Sequence, residues 1–125
     1  PLTMSGTNEA KWDGDGWFLV SRGNFNMGGL GDMTGMETWV YDSHDKVYRS
    51  TWVDSMGSLG TGSARYNEDT RTWRMRATSH GPMGKTVWKS TVRMVDANTM
   101  EFEGAEYAMG GLMKTMEMSG TSRRR

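Results

Sequence analysis

Short runs that alternate between apolar and polar residues follow one another along the whole chain, and they restrict its fold more than any other feature. Residues 36–41 (METWVY) and 47–53 (VYRSTWV) are of strand length and rich in β-branched and aromatic residues. Comparable runs are 16–26, 72–79, 86–95, 99–108 and 112–119. A long apolar repeat of 3.6 residues is missing, so the pattern predicts many strands and almost no helix.

Turn-forming residues separate these runs. The clearest are 42–45 (DSHD), 67–69 (NED), 81–84 (GPMG) and 96–98 (DAN). The stretch MGGL occurs twice, at 27–30 and 109–112, without the lysine and following helix of a phosphate loop. Adjacent glycines accommodate positive φ at both central positions of a tight hairpin, so both copies are interpreted as hairpin turns.

About nine strands joined by short links predict an all-β fold formed by a single domain over residues 1–125. An up-and-down antiparallel β-barrel is the first choice of architecture, and a two-sheet sandwich is the alternative. Gly57, Gly60 and Gly62 would let one strand coil sharply. The last three residues, Arg123–Arg125, form a basic tail.

The composition indicates an unusual core. The chain has no Ile but thirteen Met and six Trp, which can replace aliphatic residues in a core. Within 72–79, Trp73, Met75 and Ala77 share one face, while Arg74 and Arg76 share the other. The absence of Cys excludes disulfides, a thiol nucleophile and a thiolate zinc site. No run of 18 apolar residues exists, so we expect no membrane-spanning helix.

Residues 38–72 resemble a bacterial family of domains of unknown function, and the resemblance extends over nearly the whole chain. The resemblance rests on Tyr41-Asp42, on Tyr48, and on Thr51-Trp52-Val53-Asp54. It implies a barrel of the lipocalin or calycin kind and supplies no activity, substrate or catalytic residue. Such domains open with a Gly-x-Trp strand, whereas residues 1–12 resemble their second strand. The barrel is therefore expected to be open or one strand short.

Open sheet edges seek partners, which leads to the first functional hypothesis. We expect a non-enzymatic barrel that acts as a structural or self-assembling module and forms homo-oligomers through its exposed edges. No nucleophile, base and orienting group occur together in a recognisable motif, so an enzyme is not expected. No cofactor is expected either.

The alternative hypothesis is a lipocalin-like carrier of a small apolar ligand. Candidate residues to line its interior are Trp39, Trp52, Met75 and Met116. Haem is a second possible ligand, with His80 as the axial candidate. Thioethers suit Cu(I), which makes Met109, Met116 and Met118 weak copper candidates. Packing in a core or an interface remains the preferred role for these methionines.

Two charged segments are interpreted without catalysis or nucleic-acid binding. Glu101 and Glu103 share a face on one strand, and Arg93 is expected opposite Glu101 on the next, so an ion pair is favoured over acid–base catalysis. Residues 65–93 are basic, but Trp73 alternates with Arg74 and faces away from it. Single-strand binders interleave aromatic and basic residues on one surface, so no nucleic-acid partner is expected.

Overall fold

The computed structural model describes residues 5–82 and 84–124, which form nine strands and two short 3-10 turns. The strands are β1 (Ser5–Asp13), β2 (Phe18–Asn26), β3 (Asp32–Asp42), β4 (Val47–Asp54), β5 (Leu59–Asn67), β6 (Thr72–Gly81), β7 (Gly84–Asp96), β8 (Thr99–Ala108) and β9 (Met113–Arg123). The 3-10 turns are Gly28–Leu30 and Met109–Gly111. The all-β prediction is confirmed. A helix long and apolar enough to cross a membrane does not occur in the described residues.

All nine strands belong to one antiparallel sheet in which every strand pairs with its neighbours in the chain, in the order β1 to β9. The sheet curls into an open half-barrel, with β1 and β9 as its two edges. The up-and-down order expected from the short links is therefore confirmed, and the two-sheet alternative is wrong. Arg123, predicted to begin a tail, ends β9 opposite Thr99, while Arg125 lies outside the described residues.

An Asp or Asn side chain organises most of the hairpin turns. Asp42 Oδ1 accepts hydrogen bonds from the backbone N–H groups of His44 and Asp45 at 3.0 and 3.1 Å. Asn67 Oδ1 accepts two such bonds in the turn between β5 and β6. The hydrogen bond from the backbone N–H of Asp45 holds the pKa of Asp42 below its usual value, and the hydrogen bond from Arg49 adds a smaller effect in the same direction. The turns predicted at 42–45 and 67–69 are confirmed, and these side chains are the physical reason.

The two copies of MGGL fold differently. In the second copy Gly110 and Gly111 both have positive φ, at 70° and 98°, as predicted. In the first copy the expectation of two positive φ values is wrong, because Gly28 has φ 66° and the other left-handed glycine is Gly31. The backbone N–H of Met27 donates to the Gly31 carbonyl at 2.8 Å and closes that turn instead.

The strand register divides the side chains into two faces. We call the face that carries Trp39 the aromatic face; it also carries Trp52, Trp73, Met75, Trp88, Phe102, Met116 and Met118. The opposite polar face carries Arg65, Arg74, Arg76, Lys89 and Arg93. The aromatic side chains named here are half-buried and the cations are exposed.

Glycines beneath the rings let several aromatic side chains lie flat on the sheet. A Cβ atom at Gly35 would collide with the Trp52 ring, and one at Gly104 would collide with the Trp88 ring. A Cβ at Gly120 would lie 2.9 Å from Phe102 Cζ. At Gly60 an added Cβ would contact backbone rather than a ring, because it would lie 2.6 Å from the Thr78 carbonyl oxygen. These close approaches allow the strands to curl while the rings cover the aromatic face.

The half-barrel lacks a closed core. Among the described residues, the buried apolar side chains are small or medium: Val47, Ala64, Val87 and Ala105. The solvent-accessible surface is 9272 Å² for 14.0 kDa, whereas a folded monomer of this mass exposes about 6,700 Å². The expectation that Met and Trp fill an interior is therefore only half met. They cover the aromatic face, but the sheet does not close over them.

Candidate functional site

A trough runs across the middle of the aromatic face. Register pairing places Trp39, Ser50, Gly62, Ala77 and Trp88 in one row across five strands. Strands lie about 4.8 Å apart, so the Cα atoms of Trp39 and Trp88 are roughly 19 Å apart along the sheet. The three residues between them are small, and Ser50 is 7 % exposed. The row therefore has a low floor between two tryptophans, and the Trp88 ring extends away from it over Gly104 on β8.

Four aromatic rings pack together on the same face, next to this row. The ring centroids of Tyr41 and Tyr48 are 5.0 Å apart, those of Tyr48 and Trp73 are 5.1 Å apart, and those of Trp73 and Tyr66 are 4.8 Å apart. The first two pairs meet edge to face, the geometry that ring quadrupoles favour. Ala64, the cross-strand partner of Tyr48, is only 2 % exposed. Tyr48 and Trp73 form the centre of this cluster, and Tyr41 and Tyr66 lie at its exposed ends.

Two carboxylates fix the indoles of Trp39, in the trough, and of Trp52, in the neighbouring row. Trp39 Nε1 donates to Glu37 Oε1 at 2.6 Å, and Trp52 Nε1 donates to Asp54 Oδ2 at 2.8 Å. The other oxygen of Asp54 accepts the N–H groups of Met56 and Ser58 and so shapes the turn after β4. Each indole N–H is therefore satisfied, and the apolar parts of both rings remain available to a partner.

Glu37 is the most unusual polar group of the aromatic face. Its Cα partner across the sheet is Trp52, and its carboxylate bonds to Trp39. Burial raises the pKa of Glu37 above its usual value, and the bond from Trp39 lowers it by a smaller amount. The charged form of Glu37 therefore costs free energy in the folded state at neutral pH.

Glu37→Gln is expected to raise the melting temperature at pH 7 by about 2–5 °C, because an amide keeps the Trp39 bond without a buried charge. The folded-state pKa of Glu37 is raised, so the wild type gains stability as pH falls through that pKa towards 4.5. The advantage of the variant should shrink over the same interval. Thermal unfolding from pH 7 to 4.5 measures it, and a gap independent of pH would contradict this account.

The residues predicted to line a ligand site all lie on the aromatic face. Trp39, Trp52, Met75 and Met116 are half-buried and belong to four different strands. Two shallow depressions in the described part of the sheet have mainly polar linings, and of the four residues only Met75 reaches one of them. The structure thus brings the four residues to one surface, whereas the depressions lie elsewhere.

The weaker ligand candidates are dispersed. His80 is exposed on the polar face, opposite Leu59 on one side and Lys85 on the other, so it does not face the trough. Met116 and Met118 share the aromatic face, while Met109 lies in the second 3-10 turn and is 66 % exposed. Within the described residues, no three His, Asp or Glu side chains form a group able to hold a metal ion.

The segments singled out by sequence have clear structural roles. Arg93 and Glu101 are Cα partners, and Arg93 Nη2 lies 2.6 Å from Glu101 Oε2, so the predicted ion pair is confirmed. Tyr41 and Tyr48 belong to the ring cluster, and Asp54 organises a turn. The residues that carry the family resemblance therefore hold the sheet together.

Sequence reasoning missed Glu37. The signal was present in METWVY, because Glu37 has the same parity as Trp39 and so must share its face. A carboxylate on an otherwise apolar face indicates either a satisfied hydrogen bond or a raised pKa, and the structure has both.

Comparison with known proteins gives one result. The model of a family described as "Protein of unknown function (DUF1579)" matches residues 1–124. No curated protein and no solved structure matches the chain.

Proposed function

Since the chain belongs to the DUF1579 family, whose description carries no activity, we propose a function from the sheet itself. The chain is a self-assembling β module, and the aromatic face of one copy is covered by a second copy. The observation that carries this proposal is the aromatic face, which is large, apolar and only half-buried.

The amount of exposed surface supports a second copy as the partner. The chain exposes about 2,600 Å² more than a folded monomer of its mass, taking 9272 Å² against about 6,700 Å². Two copies that each bury this excess would form an interface of about 5,200 Å² in total. Obligate homodimers bury about 2,000–5,000 Å² or more, so the excess fits an assembly of this type.

The chemistry of the aromatic face supports the same proposal. Its side chains are mainly Trp, Tyr, Phe and Met, which are the residue types enriched in the centres of interfaces. The charged residues that the register places there are Glu37, Asp54 and Glu106. The first two of these already accept indole N–H groups, so each has a hydrogen-bond partner before it is covered. The cations lie on the polar face, away from the proposed contact.

The open edges of the sheet would add to the contact. Within residues 5–82 and 84–124, β1 pairs only with β2 and β9 only with β8, so one side of each edge strand presents backbone groups that the sheet does not use. All nine residues of β1 are exposed. Backbone pairing between edges of two copies would satisfy these groups and align the two aromatic faces.

Sedimentation equilibrium at micromolar concentration tests the proposal. We expect a mass of twice 14.0 kDa, or a higher multiple, that falls on dilution. A species of 14.0 kDa at every concentration, with native strand content, would overturn it.

A carrier of a small apolar ligand is the second candidate function. It is favoured by one observation, that Trp39, Trp52, Met75 and Met116 share a single half-buried face. A carrier should change its tryptophan emission when a fatty acid, a retinoid or haem is added, and should do so as a monomer. A self-assembling module should instead change its emission on dilution, without any ligand.

A further inference from the structure

Three arginines form a compact group on the polar face. Arg65 on β5 and Arg74 on β6 are Cα partners, and Arg76 lies two residues beyond Arg74 on the same face. All three are exposed. We call them the arginine triad. Like charges directly opposite each other destabilise a sheet, so the pairing of Arg65 with Arg74 is unfavourable for the fold alone.

The triad has little compensating charge. The ion pairs of the described residues involve other cations: Lys11, His44, Arg49, Arg93 and Lys114. Lys89, the Cα partner of Arg76, adds a fourth cation to the group, and its ammonium lies 5.2 Å from the centre of the Tyr107 ring. Glu68 is near the triad, but a single carboxylate does not balance three guanidinium groups.

A shallow depression coincides with the triad. Its lining includes all three arginines together with Ser63, Asn67 and Thr72, whose hydroxyl and amide groups can donate hydrogen bonds. We propose that the arginine triad binds a soluble oligophosphate in this depression. Guanidinium groups bind phosphate oxygens in pairs through two parallel N–H donors, and several phosphates on one chain would neutralise all three charges.

The surroundings favour a soluble oligophosphate over a nucleic acid or a membrane. Tyr66 also lines the depression, but the register assigns it to the other face of the sheet. The aromatic residue on the polar face near the triad is Tyr107, whose ring is already covered by the Lys89 ammonium, so a base would have to displace that contact to stack. The cross-strand partners of Arg74 and Arg76 outside the triad include Thr91 and Ser63, which are short and polar. The apolar residues of the lining, Ala64, Tyr66 and Met75, belong by register to the opposite face, so they do not stand beside the arginines to insert into a bilayer.

Titration with inorganic tripolyphosphate tests this site. Binding is measured on the full chain by calorimetry and by the rise in melting temperature. Arg74→Gln should weaken binding at least about tenfold, because Arg74 lies between the other two guanidinium groups. The same variant should be at least as stable as the wild type without the ligand, since it relieves the repulsion with Arg65.

Arg22→Gln is the matched control. Arg22 is an exposed arginine on β2, and its cross-strand partners are Glu9 and Met36. This control should change binding less than about twofold, because it removes the same charge at a distance from the triad. Equal losses in both variants, or no binding at physiological salt, would overturn the proposal. So would tighter binding to phosphatidylglycerol vesicles or to single-stranded DNA than to tripolyphosphate, with the same dependence on Arg74.

Discussion

Gly60→Ala is expected to lower the free energy of unfolding by about 2–4 kcal/mol, and a sheet without a closed core has little stability to lose. The added methyl group would lie 2.6 Å from the Thr78 carbonyl oxygen and 2.8 Å from Ser79 Cβ. Both atoms belong to the neighbouring strand, so relief requires the backbones of β5 and β6 to separate. Chemical denaturation followed by circular dichroism measures the loss.

Gly29→Ala is the control for this substitution. Gly29 lies in the first 3-10 turn, and a Cβ there would meet nothing within 4 Å. Its φ is not in the left-handed region, so alanine is expected to change stability by no more than about 0.5 kcal/mol. Equal costs at Gly60 and Gly29 would show that close strand packing at Gly60 is not what the folded sheet requires.

Met118→Lys is expected to weaken self-association at least about 100-fold, because it places an unpaired charge inside the proposed contact between aromatic faces. Met118 is half-buried on β9, and its cross-strand partner Gly104 has no side chain. Because β9 is an edge strand, the lysine can turn past the edge towards water in the monomer, so the separated chain should keep its strand content. Sedimentation equilibrium and circular dichroism measure the two properties together.

Ser119→Lys adds the same residue one position along the same strand, on the polar face. Ser119 is exposed and pairs with Glu103, so the lysine gains an opposite charge there. Its association constant should stay within about threefold of the wild type. If both lysine variants remain assembled, the aromatic face is not the contact surface, and the open edges alone would have to explain any oligomer.

The strands were predictable because the alternation of apolar and polar residues that marks each strand lies within its own few residues. Residues 99–108 alternate between two turn signals, and β8 has these same bounds. Which residues of 72–79 share a face was predictable from their alternate positions in the sequence. The ion pair of Arg93 with Glu101 was predictable from the length of the turn at 96–98. Alternation and turn chemistry act over a few residues, so one sequence contains the information.

Closure and site geometry were not predictable in the same way. Whether β1 meets β9 depends on the twist and curl summed over nine strands, which no short pattern encodes. The opposition of Arg65 and Arg74 needs the register between β5 and β6 as well as the parity of each strand. In β9 a register shift places Met116 opposite Glu106 and Lys114 opposite Tyr107, so simple alternation fails between Lys114 and Met116.

The order of the strands also has a kinetic consequence. Each strand pairs with the segment that precedes it in the chain, so every loop that must close during folding is short. Such a sheet can grow by adding one hairpin at a time, and its contact order is low for an all-β protein. Opening should proceed in reverse, from β1 and β9 inward. Amide hydrogens are then expected to exchange fastest in the edge strands and slowest around β5, where neighbours on both sides protect the backbone.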